Sequence, residues 1–178
     1  NKFYREFDVV LKIQDKISYK VLPKPHLLIK KATLDLNAND TKSSIIETKN
    51  LKIYVPIGNI YSISNIEIKK IEITETNFNF TFKDVEDFRD HMFNKINKPI
   101  LIKNSKFFYL DDKKNVILIS PIDSAKYSIN LENKFKQLKL KGNIFDTKYH
   151  SVWKKNYDDP NKTSNEIKFK NPNLKITN

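Results

Sequence analysis

Apolar and polar residues alternate with period two along most of this chain, the signature of strands that bury one face. The pattern is clearest from Val21 to Leu36. There Pro23-Lys24-Pro25 fixes two φ angles and pushes the preceding residues towards extended backbone, so a strand is predicted to begin just after it. Leu28, Lys30, Ala32, Leu34 and Leu36 then fall at every second position. Ile17, Tyr19 and Val21 predict a strand before this one. Ile45 to Thr48, with Leu51, Ile53, Val55 and Ile57, predict another after the polar turn Asn37 to Ser44. Ile66, Ile68, Ile71 and Ile73 continue the alternation with a parity shift at Lys69-Lys70, which predicts a bulge. Phe78, Phe80 and Phe82 put three phenyl rings on one side of the next strand. Further strands are predicted over 100–102, 106–110, 116–120, 125–131, 134–143, 148–153 and 166–169, with a hairpin turn over 111–115.

Two segments carry the helical period instead. Phe3, Phe7, Val10 and Leu11 predict a short amphipathic helix over 3–13. Asp84, as cap, with Val85, Phe88, Met92 and Ile96 on one stripe, predicts a helix over 84–96 that Asn97-Lys98-Pro99 stops. The strands show no βαβ rhythm, so the predicted fold is mainly β with two short α-helices. Its core is an elongated, curved antiparallel sheet that forms an open trough or partial barrel.

The strand phrase that follows Pro25 recurs at Pro99-Ile100-Leu101-Ile102-Lys103 and begins again at Pro172-Asn173-Leu174-Lys175-Ile176, which favours an extended, repetitive sheet. The chain opens on Asn and stops within that third phrase. Residues 1–178 are therefore expected to be a single β-rich segment of a larger protein, with an N-terminal membrane helix and a C-terminal continuation missing.

Composition narrows the chemistry. Only 2 Gly among 178 residues, with 12% aromatics, describe an ordered chain in which Asn and Asp carry many turns. The net charge of +12 raises the possibility of a polyanion partner. All but Arg5 and Arg89 of the 33 basic residues are Lys, however, and Lys, Asn and Ile are enriched together, as an AT-biased genome produces. Base readout favours Arg, so nucleic acid is not the expected partner. Without Cys, thiolate metal sites and disulfides are excluded. With Gly58 and Gly142 as the sole glycines, a P-loop, GxGxxG or GxSxG is also excluded.

No catalytic constellation emerges, and no cofactor or metal is expected. His26, His91 and His150 share no ligand spacing. Asp87, Asp90 and His91 lie on adjacent helical turns, where solvated polarity explains them. Asp111-Asp112 and Asp158-Asp159 fall in turns. The triplets Asn39-Asp40-Thr41 and Asn161-Lys162-Thr163 match the glycosylation acceptor, a weak signal in an Asn-rich chain.

The order of these pieces resembles the AsmA-like family of bacterial envelope proteins, related to TamB and the chorein-type bridge proteins. Val21-Leu22-Pro23-Lys24-Pro25 leading into Leu27 to Leu34 carries the likeness, followed by Ile46 to Val55, the I-x-I-x-x-I-x-I run of Ile66 to Ile73, and Asn77 to Phe80. The likeness is strongest from Asp15 to about Phe82.

The resemblance implies a non-catalytic protein, anchored to the inner membrane by an N-terminal helix and facing the periplasm. Its hydrophobic trough would pass phospholipid acyl chains between inner and outer membranes and serve outer-membrane assembly, with other envelope proteins as partners. A scaffold with a self-filled core is the alternative. Combined with the strand pattern, it makes Leu34, Leu36, Ile53, Val55, Ile66, Ile68, Phe78, Phe80, Tyr127, Ile129, Leu138 and Leu140 the expected trough wall. Rim lysines would attract anionic head groups.

Overall fold

The computed structural model describes residues 2–36, 46–56, 67–159 and 162–178. In chain order the elements are α1 (Lys2–Phe7), β1 (Val10–Ile13), β2 (Ile17–Lys20), β3 (His26–Asp35), β4 (Ile46–Tyr54), β5 (Lys70–Phe80) and α2 (Phe82–Asn94). Then come β6 (Ile100–Leu110), β7 (Val116–Asn130), β8 (Phe135–Ile144), β9 (Thr147–Asn156), β10 (Thr163–Phe169) and β11 (Leu174–Thr177). All eleven strands join one sheet in almost sequential order, with β1 and β2 both paired to β3; β1 and β11 do not meet, so the sheet is open. The fold is thus mainly β with two short helices, as the alternation predicts.

The sheet is mixed rather than antiparallel throughout. β5 and β6 pair in parallel, Ile71 opposite Ile100 and Phe80 opposite Tyr109, and α2 is the crossover between them. One βαβ unit therefore sits inside a meander, where no such unit is expected from the sequence. The helix begins one turn earlier than the Asp84 cap implies. Thr81 is the N-cap, and its hydroxyl accepts from the Asp84 amide at 3.4 Å while the Asp84 carboxylate accepts from the Thr81 amide at 2.8 Å. This is a capping box with Asp in the place of Glu. At the other end the carbonyl of Ile96 accepts from the Tyr127 hydroxyl at 2.9 Å and from the Lys136 ammonium at 2.9 Å, pinning the exit of the helix to the sheet.

The predicted helix over 3–13 is shorter. Asp8 takes a left-handed φ of 51° and its amide closes on the Tyr4 carbonyl at 2.7 Å, which ends α1. Val10 to Ile13 then pair with Ala32 to Asp35 as β1. Phe3 and Phe7 stay buried with rings 4.7 Å apart. His91 on α2 shares a hydrogen bond of 2.6 Å with the Phe7 carbonyl, so its ring holds α1 to α2. Burial pushes the His91 pKa down, against the opposing pull of the Phe7 carbonyl and Asp8.

A crease crosses the sheet. At one level, five consecutive strands each turn two successive residues outward: Lys30-Lys31, Lys49-Asn50, Thr74-Glu75, Lys103-Asn104 and Asp123-Ser124. Lys31, Glu75 and Asn104 have positive φ there. Because β3 to β7 deviate together, the pairing on either side keeps its register, as Lys30 opposite Asn50 and Ala32 opposite Thr48 show. The shift is absorbed only at the β7–β8 boundary, between Ile122 opposite Gly142 and Ser124 opposite Lys141. On the inner side Thr76 donates to Thr48 at 2.9 Å, and the Thr76 amide donates to the Ser105 hydroxyl at 3.2 Å.

The crease corrects the predicted parity. Leu27 and Ile29 share the core with Ala32, Leu34 and Leu36, so the frame that runs through Leu28 and Lys30 crosses to the other face at Lys31. The predicted shift at Lys69-Lys70 is present, since Ile68 and Ile71 are both buried and the Lys69 amide donates to the carbonyl of Tyr54, the partner of Lys70; β5 shifts a second time at Thr74-Glu75, and one strand spans what reads as two. β6 and β7 are likewise single strands across predicted breaks. The turn at 37–44, the strand positions Ile45 and Ile57, both glycosylation triplets and the wall candidate Ile66 fall wholly or partly outside the described residues.

On the outer face Glu72 is buried among Lys103 at 3.6 Å, Lys52 at 3.8 Å and Lys70 at 3.5 Å. Burial works to raise its pKa, but the three ammonium groups outweigh it and hold the carboxyl below the usual range.

Candidate ligand-binding groove

The inner face of the sheet is divided by α2. Beside β3 to β6, α1 and α2 fill the space themselves, leaving about 50 Å³ among Phe3, Phe7, Leu34, Leu36, Ile46 and Met92. On the far side of α2 an apolar groove of about 270 Å³ stays open. Its walls come from β5 to β10 and from the Val85, Phe88 and Arg89 side of α2. Five strand intervals cover about 24 Å in a flat sheet, so residues of β5 and β10 lining one groove show that the sheet curls around it.

Phe78 and Phe80 of β5 form the wall against the helix. The Phe80 ring meets Phe88 at 5.1 Å and Phe107 at 5.8 Å, and Phe78 meets Phe80 edge-on at 5.9 Å. The floor is Leu118, Ile122, Leu138, Leu140 and Ile144, and the far wall is Tyr149, Trp153, Ile167 and Phe169.

Polar atoms in the floor are already engaged. The Ser120 hydroxyl donates to the Asn143 carbonyl at 2.7 Å and lies 3.2 Å from the Tyr149 hydroxyl; the Trp153 indole donates to Ser151 at 2.7 Å. Burial raises the Tyr149 pKa, which keeps the phenol neutral. The groove therefore offers an incoming molecule apolar contact and few free hydrogen-bonding groups.

One glycine is needed here for space. A Cβ on Gly142 would collide with the Pro121 carbonyl oxygen and stand 3.1 Å from the Tyr149 hydroxyl and 3.2 Å from a carbon of its ring. Pro121 approaches because β7 bulges just beyond it, and Tyr149, directly opposite Gly142, lays its ring over the gap.

The expected wall residues divide between these regions. Phe78, Phe80, Leu138 and Leu140 meet in the open groove. Leu34 and Leu36, with Phe78 again, border the filled half. Ile53, Val55 and Ile68 are buried in the core, Ile129 packs against it, and Tyr127 is spent on the exit of α2. Phe107, Leu118, Ile144, Tyr149, Trp153, Ile167 and Phe169 complete the groove without having been singled out. Tyr149, Ser151 and Trp153 do alternate in the sequence, but the serines at 120 and 151 interrupt the apolar count that selects wall strands.

Neither a protein-family model nor a curated protein matches this chain.

Among the described residues no group of three His, Asp or Glu side chains converges as a metal site would require. None of the helices among them is long and apolar enough to cross a membrane. Arg89, at the groove's edge, pairs only loosely with its neighbour Asp90, at 3.1 Å with both side chains partly exposed. It is the cation placed to meet a charged group outside the apolar space.

Proposed function

We propose that this chain is a non-catalytic carrier segment whose open groove holds a lipid acyl chain. The observation behind the reading is the groove on the far side of α2, predominantly apolar, with its few polar atoms already paired, and left unfilled by the protein's own side chains. Each methylene moved from water into such a site contributes about 0.8 kcal/mol. At about 270 Å³ the groove lies just under the range of about 300–1,000 Å³ usual for small-ligand pockets, room for no more than one chain, with a charged head group left outside near Arg89.

This fits the AsmA-like resemblance, in which the intact protein is held at the inner membrane, faces the periplasm and passes phospholipid towards the outer membrane. The scaffold alternative draws on the half that α1 and α2 fill. A trough continuous along the whole sheet is not what this segment offers; α2 leaves one side for a ligand.

Native mass spectrometry with lipid extraction tests the reading. The purified chain is expected to carry phospholipid or fatty acid, and Leu140→Glu, which places a carboxylate on the groove floor, is expected to abolish it while circular dichroism stays unchanged. Folded protein that never carries lipid would favour the scaffold.

A further inference from the structure

We propose that one end of the sheet is a membrane-docking rim that seats the groove's mouth on a phospholipid bilayer. The end in question is where β5, β6 and β8 finish and β7 and β9 begin, as the pairings Phe80 with Tyr109, Leu110 with Val116 and Ile144 with Thr147 fix. Large apolar side chains stand in solvent there: Phe82 at 64% exposure, Ile117 at 60% and Phe145 at 83%, with Val116 and Ile119 beside them. They lie within about three strand intervals, roughly 14 Å. Phe80, Leu118 and Ile144, which line the groove, are their neighbours in sequence, so the rim and the groove are continuous.

Phe145 is the decisive residue. It and Asp146 form the two-residue turn of the β8–β9 hairpin, with φ of 46° and 59°. Turns of this kind favour Asn, Asp and Gly, because an L side chain is strained at positive φ. A phenyl ring at the first position is unfavourable for the backbone and unfavourable in water, and among the described residues it stacks on no other aromatic ring. An outlier of this sort at an exposed tip points to use outside the fold.

The charge around the rim selects the partner. Lys83, Lys113, Lys114, Lys148 and Lys170 lie in the turns and element ends around the apolar tips, against Asp84, Asp111, Asp112 and Asp146. Asp84 is engaged in the capping box of α2. Asp111 is occupied by the amide and side chain of Asn115 within its own turn. Apolar tips ringed by lysine match the interface of a bilayer that contains anionic lipid, where rings enter the acyl boundary and ammonium groups meet phosphate. The opposite end of this half of the sheet exposes Leu131 and, to a smaller extent, Tyr157.

The inference goes beyond the acyl-chain reading and is measured separately from it. Flotation with mixed phosphatidylcholine–phosphatidylglycerol vesicles is compared for the native chain, Phe145→Asn, and Phe82→Ser combined with Ile117→Ser. The native chain is expected to float with the vesicles. Phe145→Asn is expected to bind them about tenfold more weakly yet to melt about 2–4 °C higher, since Asn suits the turn; the paired serine variant is expected to lose flotation. Lipid content by mass spectrometry is expected to be unchanged in all three.

Absence of flotation by the native chain, or native-like flotation by Phe145→Asn, overturns the docking rim while leaving the groove reading intact. A lower melting point for Phe145→Asn overturns it too, by assigning the ring to the fold. Concentration-dependent self-association without lipid, lost in the same variants, assigns the rim to contacts between copies of the chain and overturns the membrane proposal.

Discussion

Phe80→Ala is expected to lower stability by about 3–5 kcal/mol, the usual cost of deleting a buried phenyl ring. Phe80 is 3% exposed and its ring contacts Phe78, Phe88 and Phe107, so it joins β5, α2 and β6, the three members of the βαβ unit. Deleting the ring leaves a void that cannot collapse easily, because the parallel pairing of β5 with β6 fixes the backbone on both sides. Urea unfolding followed by circular dichroism checks this. The midpoint is expected to fall with an unchanged slope, whereas a loss below about 1 kcal/mol would mean that α2 is not held by this cluster. The same ring forms the groove wall against α2, so the variant is also expected to carry lipid with altered selectivity if it folds.

Gly142→Ala is the second large effect, an expected loss of about 1–3 kcal/mol from a single added methyl group. Many glycine positions in strands gain from such a change. Here the new Cβ would meet a main-chain oxygen, that of Pro121, with Tyr149 closing the other side. The Tyr149 ring can move, but Pro121 is held by its place beside the bulge at Asp123, where the crease of the sheet ends. Thermal unfolding checks the direction: a native or raised melting temperature for Gly142→Ala would show that the β7–β8 boundary can shift freely. Gly142→Val is expected to be worse than alanine by the same measure.

The strands were legible because period two survives wherever one face is buried, and the residues Ile53, Val55, Phe78, Phe80, Leu138 and Leu140 all lie on the inner side. The crease was not. When five strands flip parity at one level the pairing stays intact, so each strand shows only two adjacent polar residues, and Lys30-Lys31 or Thr74-Glu75 reads as ordinary surface. The parallel pair was hidden for another reason. A strand, a capped helix and a strand are consistent with either direction, and the isolated unit lacks the repetition by which such crossovers are recognised.

The groove was partly legible. Its β5 and β8 walls follow from apolar alternation, whereas the far wall depends on how strongly the sheet curls, which brings Tyr149, Trp153 and Phe169 towards a helix more than fifty residues earlier. Phe145 was missed because a turn residue contributes to no periodic pattern; its meaning appears only with its backbone angle and exposure.

The central claim is that an acyl chain lies in the groove, and Trp153 reports on it most directly. It is the single tryptophan of the chain and part of the groove wall. The measurement is titration with stearic acid brominated at mid-chain, below its aggregation concentration, with unbrominated stearic acid as the control. Saturable quenching of Trp153 by the brominated chain alone, absent in Leu140→Glu, is the predicted result. Equal fluorescence with both acids, in protein that is folded by circular dichroism, would contradict the account.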